Sequence, residues 1–124
     1  MFKRSPMELR RVLIVDDHAG FRASARRLLE CNGYEVVGEA ADGAEALRLA
    51  EELEPGLVLV DIHLPDSDGR YVAGRISGAR NAPAVVLISS RDVADLGDSI
   101  ERAGARGFIS KAELSGESLA ALLT

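Results

Sequence analysis

Asp16, Asp17, Asp61, Ser89 and Lys111 all stand where a short apolar run gives out, and together they carry three carboxylates, a hydroxyl and an ammonium. Val12-Leu13-Ile14-Val15 leads into Asp16-Asp17, and Leu57-Val58-Leu59-Val60 into Asp61. Val85-Val86-Leu87-Ile88 leads into Ser89-Ser90, and Phe108-Ile109-Ser110 into Lys111. Two carboxylates about 4 Å apart repel by roughly 4 kcal/mol at an effective dielectric of 20. A group of three therefore demands a proton or a cation. Oxygen ligands at an open, solvent-facing position suit Mg²⁺, which keeps several waters and takes one or two carboxylates plus phosphate oxygens. The spacing supplies too few ligands for a closed calcium cage and no Cys or His set for zinc. Magnesium is the expected cation. Lys111 and Ser89 can each hold one side of a transferred phosphoryl group, for which positioning and charge neutralisation do most of the work. One carboxylate would then be the nucleophile, forming an acyl phosphate. Asp61 is the candidate, because its run lies between those of the acidic pair and the hydroxyl. Any single Asp here reads equally well as a loop cap; the four similar run ends point to a shared site.

The elements that must position these groups are legible in outline. Short Val- and Ile-rich runs bounded by turn residues read as strands buried on both faces, as in parallel sheets. Ligands of such sheets bind beyond the carboxyl ends of the strands. After the first strand, Phe21, Ala25, Leu28 and Leu29 recur at helical spacing up to a stop at Asn32-Gly33. Glu35 to Gly38 reads as a second strand. Asp42-Gly43 opens a helix with Ala46, Leu47, Leu49, Ala50 and Leu53, closed by Pro55-Gly56. The third strand ends at Asp61, and a loop precedes a third helix over about Gly69 to Ser77. A fourth helix would place Val93, Leu96 and Ile100 on one face; Gly97 and three Asp residues lower its propensity, so mobility is expected there. Strand five covers about Arg106 to Ser110 and a last helix about Leu114 to Leu123. Strict alternation predicts a doubly wound α/β sheet with right-handed crossovers and helices on both faces.

Bulk properties narrow the classes. A chain of 124 residues fits one domain burying roughly 65% of its unfolded surface. The division expected is a flexible basic arm over residues 1–10 and one domain over 11–124. A net charge of −5 argues against direct nucleic-acid binding, which needs a basic patch. No stretch has the length of a membrane span and the start lacks a signal-peptide core, so a cytoplasmic location is expected. Cys31 is the only cysteine, which rules out an internal disulfide; it reads as half-buried near a helix end.

Taken together, Val12 to His18, Val58 to Pro65 and Gly104 to Lys111 resemble the receiver domain of bacterial two-component response regulators. The resemblance runs from about Val12 to Leu123, with Ser89 lying 28 residues after Asp61 and 22 before Lys111. It implies a flavodoxin-like fold with five parallel strands in the order 2-1-3-4-5. It also implies that Asp61 accepts a phosphoryl group from a sensor histidine kinase or phosphotransfer protein. Asp17 would bind Mg²⁺ directly and Asp16 partly through water, with Asp61 and the backbone carbonyl of His63 completing the protein's share. Ser89 matches the switch hydroxyl and Phe108 the switch aromatic. Phosphorylation would reshape the face made by helix four, strand five and helix five. The signal would pass to a downstream protein or to a C-terminal output domain absent from this chain, and the expected assembly is a monomer or a phosphorylation-dependent dimer. Such a module is a phosphorylated signalling protein rather than an enzyme with an external product.

Some positions depart from the family's habit. Ala112 follows Lys111 where many receivers have proline. Ser67 replaces a larger apolar residue, so the loop is expected to pack less tightly. His18 reads as a helix-start residue, and the side chain of His63 lies two residues past the acceptor, where it either tunes water access or faces solvent. Phe108 also fits a plain core-edge aromatic. The rival functional readings are a small Mg²⁺-dependent aspartyl-nucleophile phosphatase or phosphotransferase, and a docking module that needs no phosphorylation. The enzyme reading lacks a cap domain and a carboxylate two residues after Asp61.

Overall fold

The structure, a computed structural model, describes residues 10–90 and 99–123. Ten elements alternate: β1 (Arg11–Val15), α1 (Ala19–Cys31), β2 (Glu35–Ala40), α2 (Gly43–Leu53), β3 (Leu57–Asp61), α3 (Gly69–Ser77), β4 (Ala84–Ser89), α4 (Ser99–Arg102), β5 (Gly107–Ser110) and α5 (Gly116–Leu123). All strand pairings are parallel, in the order β2-β1-β3-β4-β5, as expected. Residues Val93, Leu96 and Gly97 of the expected fourth helix, and residues 1–9 of the expected arm, lie outside the described residues. Arg10, the arm's last residue, donates to the Gly33 carbonyl at 3.1 Å.

Period-two alternation divides the core into two layers. Val12, Ile14, Leu57, Leu59, Val86, Ile88 and Ile109 meet Ala25 and Leu29 of α1 and Leu119 of α5. The opposite parity, Leu13, Val15, Val58, Val60, Val85 and Leu87, meets Ala46 of α2 and Val72, Ala73 and Ile76 of α3. Strands β3 and β4 are buried along their whole length, which is why their sequences show no polar alternation.

The turns follow the chemistry of their residues. Gly33 takes φ +84° after α1. Asp42 caps α2, its carboxylate accepting from Glu45 N at 2.8 Å, while the Glu45 side chain accepts from Ala41 N at 2.8 Å. At the other end of α2 the left-handed position is Glu54, φ 47°, just before Pro55. Two boundaries differ from the sequence reading. Strand β2 runs on to Ala40, because β1 pairs Leu13 with Gly38 past a register shift. After Lys111 a short 3₁₀ turn, Lys111–Glu113, precedes α5. Cys31 is exposed rather than half-buried. It stands two residues past buried Leu29, about 200° around the helix and so on the outward side.

Candidate functional site

Register brings the chemical groups together. Val15 pairs with Val60, so the next residues, Asp16 and Asp61, leave adjacent strands at the same level. Asp61 pairs with Ile88, and Ser89 with Ser110, which places Lys111 one step beyond. Strand parity puts Asp16, Asp61 and Lys111 on the side of α1. There the Lys111 Nζ lies 2.6 Å from Asp16 Oδ2 and 3.1 Å from Asp61 Oδ2. Asp16 is fully buried and Asp61 is 4% exposed, whereas the Asp17 side chain, at 36%, stands at the mouth.

Each buried carboxylate is set by its own backbone. Asp16 Oδ1 accepts from His18 N at 2.8 Å, and Asp61 Oδ1 accepts from His63 N at 2.9 Å. Both are the local turn that an aspartate makes two residues on. The chain then returns under Asp61, closed by a bridge between His63 and Asp68 and by Gly69 N donating to the Ile62 carbonyl at 2.7 Å. A Cβ at Gly69 would collide with the Asp61 carbonyl oxygen and with Ile62 Cα, so this approach requires glycine.

Burial is the largest influence on Asp61 and raises its pKa above 3.8; the His63 N–H and the Lys111 ammonium offset this in part, and the charge of Asp16 adds to the rise. Burial pulls Lys111 down, but the hydrogen bonds and charges of Asp16 and Asp61 outweigh it, and the net shift is upward. The lysine is therefore charged and shared by two buried carboxylates. Three carboxylates against one ammonium leave two negative charges, the charge that one divalent cation cancels. The carboxylates offer hard oxygens, and one oxygen each of Asp16, Asp17 and Asp61 lies within 4.8 Å of the others and of a His18 ring nitrogen. The set fits magnesium.

Several partners were hidden from the sequence. Phe21, read only as a helix-core residue, places its ring 4.6 Å from Lys111 Nζ, a cation–π contact. Arg22 Nη1 donates to the Asp16 carbonyl at 2.6 Å, and its Nε donates to Glu39, which also accepts from Arg26. Asp66 accepts from Gly43 N and Ala44 N at 2.7 and 3.0 Å. The loop at Ser67 is thus tied to the start of α2, where the expectation was looser packing: two hydrogen bonds to the helix N-terminus take the place of an apolar side chain. Ser89 is buried at the end of β4 while Ser90 is exposed. Phe108 is half-buried with the layer of α2 and α3, the same parity as Ser89. The His63 side chain is exposed.

Residues 12–123 match the response regulator receiver domain family. The chain belongs to that family. It is 43% identical over 102 residues to the transcriptional regulatory protein PdtaR of Mycobacterium tuberculosis, covering 82% of this chain and 49% of that protein. It is 36% identical over 112 residues to the transcriptional regulatory protein YdfI of Bacillus subtilis, covering 90% and 52%. A two-component response regulator of the LuxR family from Aurantimonas sp. SI85-9A1 superposes with a TM-score of 0.82 at 34% identity, covering 91% of this chain and 84% of that one. This receiver spans about half the length of the curated relatives it matches. Its fold is the flavodoxin-like receiver fold, and its role is that of a phospho-accepting signalling domain. Among the described residues no helix is long and apolar enough to cross a membrane.

Proposed function

We propose that Asp61 is the phosphoacceptor of this receiver, in a magnesium-dependent transfer from a sensor histidine kinase or phosphotransfer protein. The observation that carries this reading is the single Lys111 ammonium shared by the carboxylates of Asp16 and Asp61. Asp61 attacks the phosphorus of a phosphohistidine; a P–O bond forms, the P–N bond breaks, and the electron pair leaves with the imidazole. Asp16, Asp17, Asp61 and the His63 carbonyl would hold the magnesium ion, which supplies charge neutralisation on the phosphoryl oxygens when bound. Lys111 then exchanges a carboxylate for a phosphoryl oxygen, and the Ser89 hydroxyl donates to another.

Phosphorylation adds about two negative charges at this point. Ser89 and Phe108 share one face of neighbouring strands, which supports a coupled movement of hydroxyl and ring toward the α4-β5-α5 face. Output passes from that face to a downstream protein or to a C-terminal domain of a longer regulator. Intact-protein mass after incubation with acetyl phosphate tests the acceptor. One phosphoryl adduct is expected with Mg²⁺, none without it, and none on Asp61→Asn. An undiminished adduct on Asp61→Asn would refute the assignment.

A further inference from the structure

His18 occupies the N-cap of α1, a position whose side chain ordinarily accepts from the helix's first N–H groups. Its side chain makes no such bond. The imidazole turns back instead, with Nδ1 3.2 Å from Asp17 Oδ1 and 3.4 Å from Asp16 Oδ1. The turn that places it is held from within, since His18 N donates to that same Asp16 oxygen. Donors bound to one ion at about 2.1 Å are separated by about 3.0 Å along an octahedral edge and about 3.4 Å along a tetrahedral one. The His18–Asp17 separation falls in that interval, and a carboxylate oxygen of Asp61 lies within 4.8 Å of both. We propose that His18 Nδ1, with Asp17 and Asp61, makes this centre a mixed nitrogen–oxygen chelate that prefers a borderline divalent cation such as Co²⁺, Ni²⁺ or Zn²⁺ over Mg²⁺.

The spacing of histidines in the sequence gave no zinc-type set, because the nitrogen is recruited by a turn and not by helical periodicity. Imidazole strengthens binding of later first-row ions, whereas magnesium gains little from nitrogen. Asp17 and His18 are the exposed members of the group, so a hydrated ion reaches them directly. The inference rests on the metal site of the proposed function, but not on phosphoryl transfer itself.

Isothermal titration of the full chain with CoCl₂ and with MgCl₂ tests it, on wild type, His18→Ala, His18→Asn and Asp17→Asn. Loss of His18 is expected to weaken Co²⁺ by about tenfold or more while Mg²⁺ changes less than about twofold. Asp17→Asn should weaken both ions, and bound Co²⁺ should shift the His18 ring protons paramagnetically. Unchanged Co²⁺ affinity in both His18 variants, or an equal loss for both ions, would overturn the proposal and leave the imidazole a hydrogen-bond partner of Asp17. His18→Asn, a favoured N-cap residue, guards against a folding defect. Should the phosphoryl adduct fail to form while Co²⁺ binding still depends on His18, this inference stands without the acceptor assignment.

Discussion

The Lys111 ammonium has three neighbours of different kinds: Asp16, Asp61 and the face of Phe21. The ring lets the ammonium be buried against a surface that still favours positive charge, worth about 0.5–2 kcal/mol. Phe21→Leu should therefore loosen Lys111 and slow phosphorylation by acetyl phosphate about three- to tenfold, while Phe21→Tyr keeps the rate within about twofold. Equal rates in the two variants would show the ring to be mere filling. At Asp61 the folded-state pKa lies above 3.8, so the folded chain binds this proton more readily than the unfolded one. The benefit belongs to pH below 3.8 and is lost as pH rises through the folded value; at neutral pH the ionised group is a cost. Without Mg²⁺, Asp61→Asn should raise the urea midpoint at pH 7, a gain that shrinks on acidification as the wild-type carboxyl takes up its proton. A lower midpoint for the variant would contradict this account of the buried charges. Asp16, Asp61 and Lys111 were legible as neighbours because each ends an apolar run, and the structure brings these three together; Ser89 also ends such a run, but its parity turns it to the opposite face of the sheet. Phe21 was not legible, since an aromatic at helical spacing carries the same pattern whether it faces a methyl group or an ammonium.

Elements matter here through the turns that end them. Gly69 lets the chain pass directly under Asp61, and the tie from Asp66 to the first N–H groups of α2 fixes the outer part of the same loop. Gly69→Ala must push the loop away from the Asp61 carbonyl. It should cost about 2–4 kcal/mol in chemical denaturation and lower the phosphorylation rate together with it. A variant as stable and as reactive as wild type would show that the loop relaxes freely. Strand ends and helix starts were readable because Asp61, Asp42, Gly69 and Asn32-Gly33 are punctuating residues. The extension of β2 to Ala40 was not, because it follows from pairing with β1 past a register shift and leaves no mark in Glu35 to Ala40 itself. The cap at Glu54 escaped notice for a similar reason: the Pro-Gly pair beside it marked the end of α2, while the left-handed residue is an ordinary glutamate.

At the scale of the whole molecule, the ends of β1, β3 and β5 converge on one charged centre, and the stability of the sheet is linked to what that centre holds. Magnesium that binds only the folded chain should stabilise it by about 2.7 kcal/mol at a hundred times its dissociation constant. The gain should vanish in Asp17→Asn, measured as the shift in thermal midpoint with added MgCl₂. An equal shift in that variant would place the ion elsewhere. The doubly wound class was legible from strict strand–helix alternation together with strands too apolar to face water, whereas the strand order 2-1-3-4-5 was implied only by the family resemblance. The two-layer division by parity explains why Asp16, Asp61 and Lys111 meet beside α1, while Ser89 and Phe108 face the other helices. The most direct test of the central claim is chemical trapping of the phosphorylated chain. Borohydride reduces an aspartyl phosphate to homoserine, and peptide mass spectrometry then locates it. After treatment with acetyl phosphate and Mg²⁺, homoserine is predicted at position 61 alone. Homoserine at position 16 or 17, or a phosphoryl group recovered on His18 or His63 with position 61 unmodified, would contradict the account.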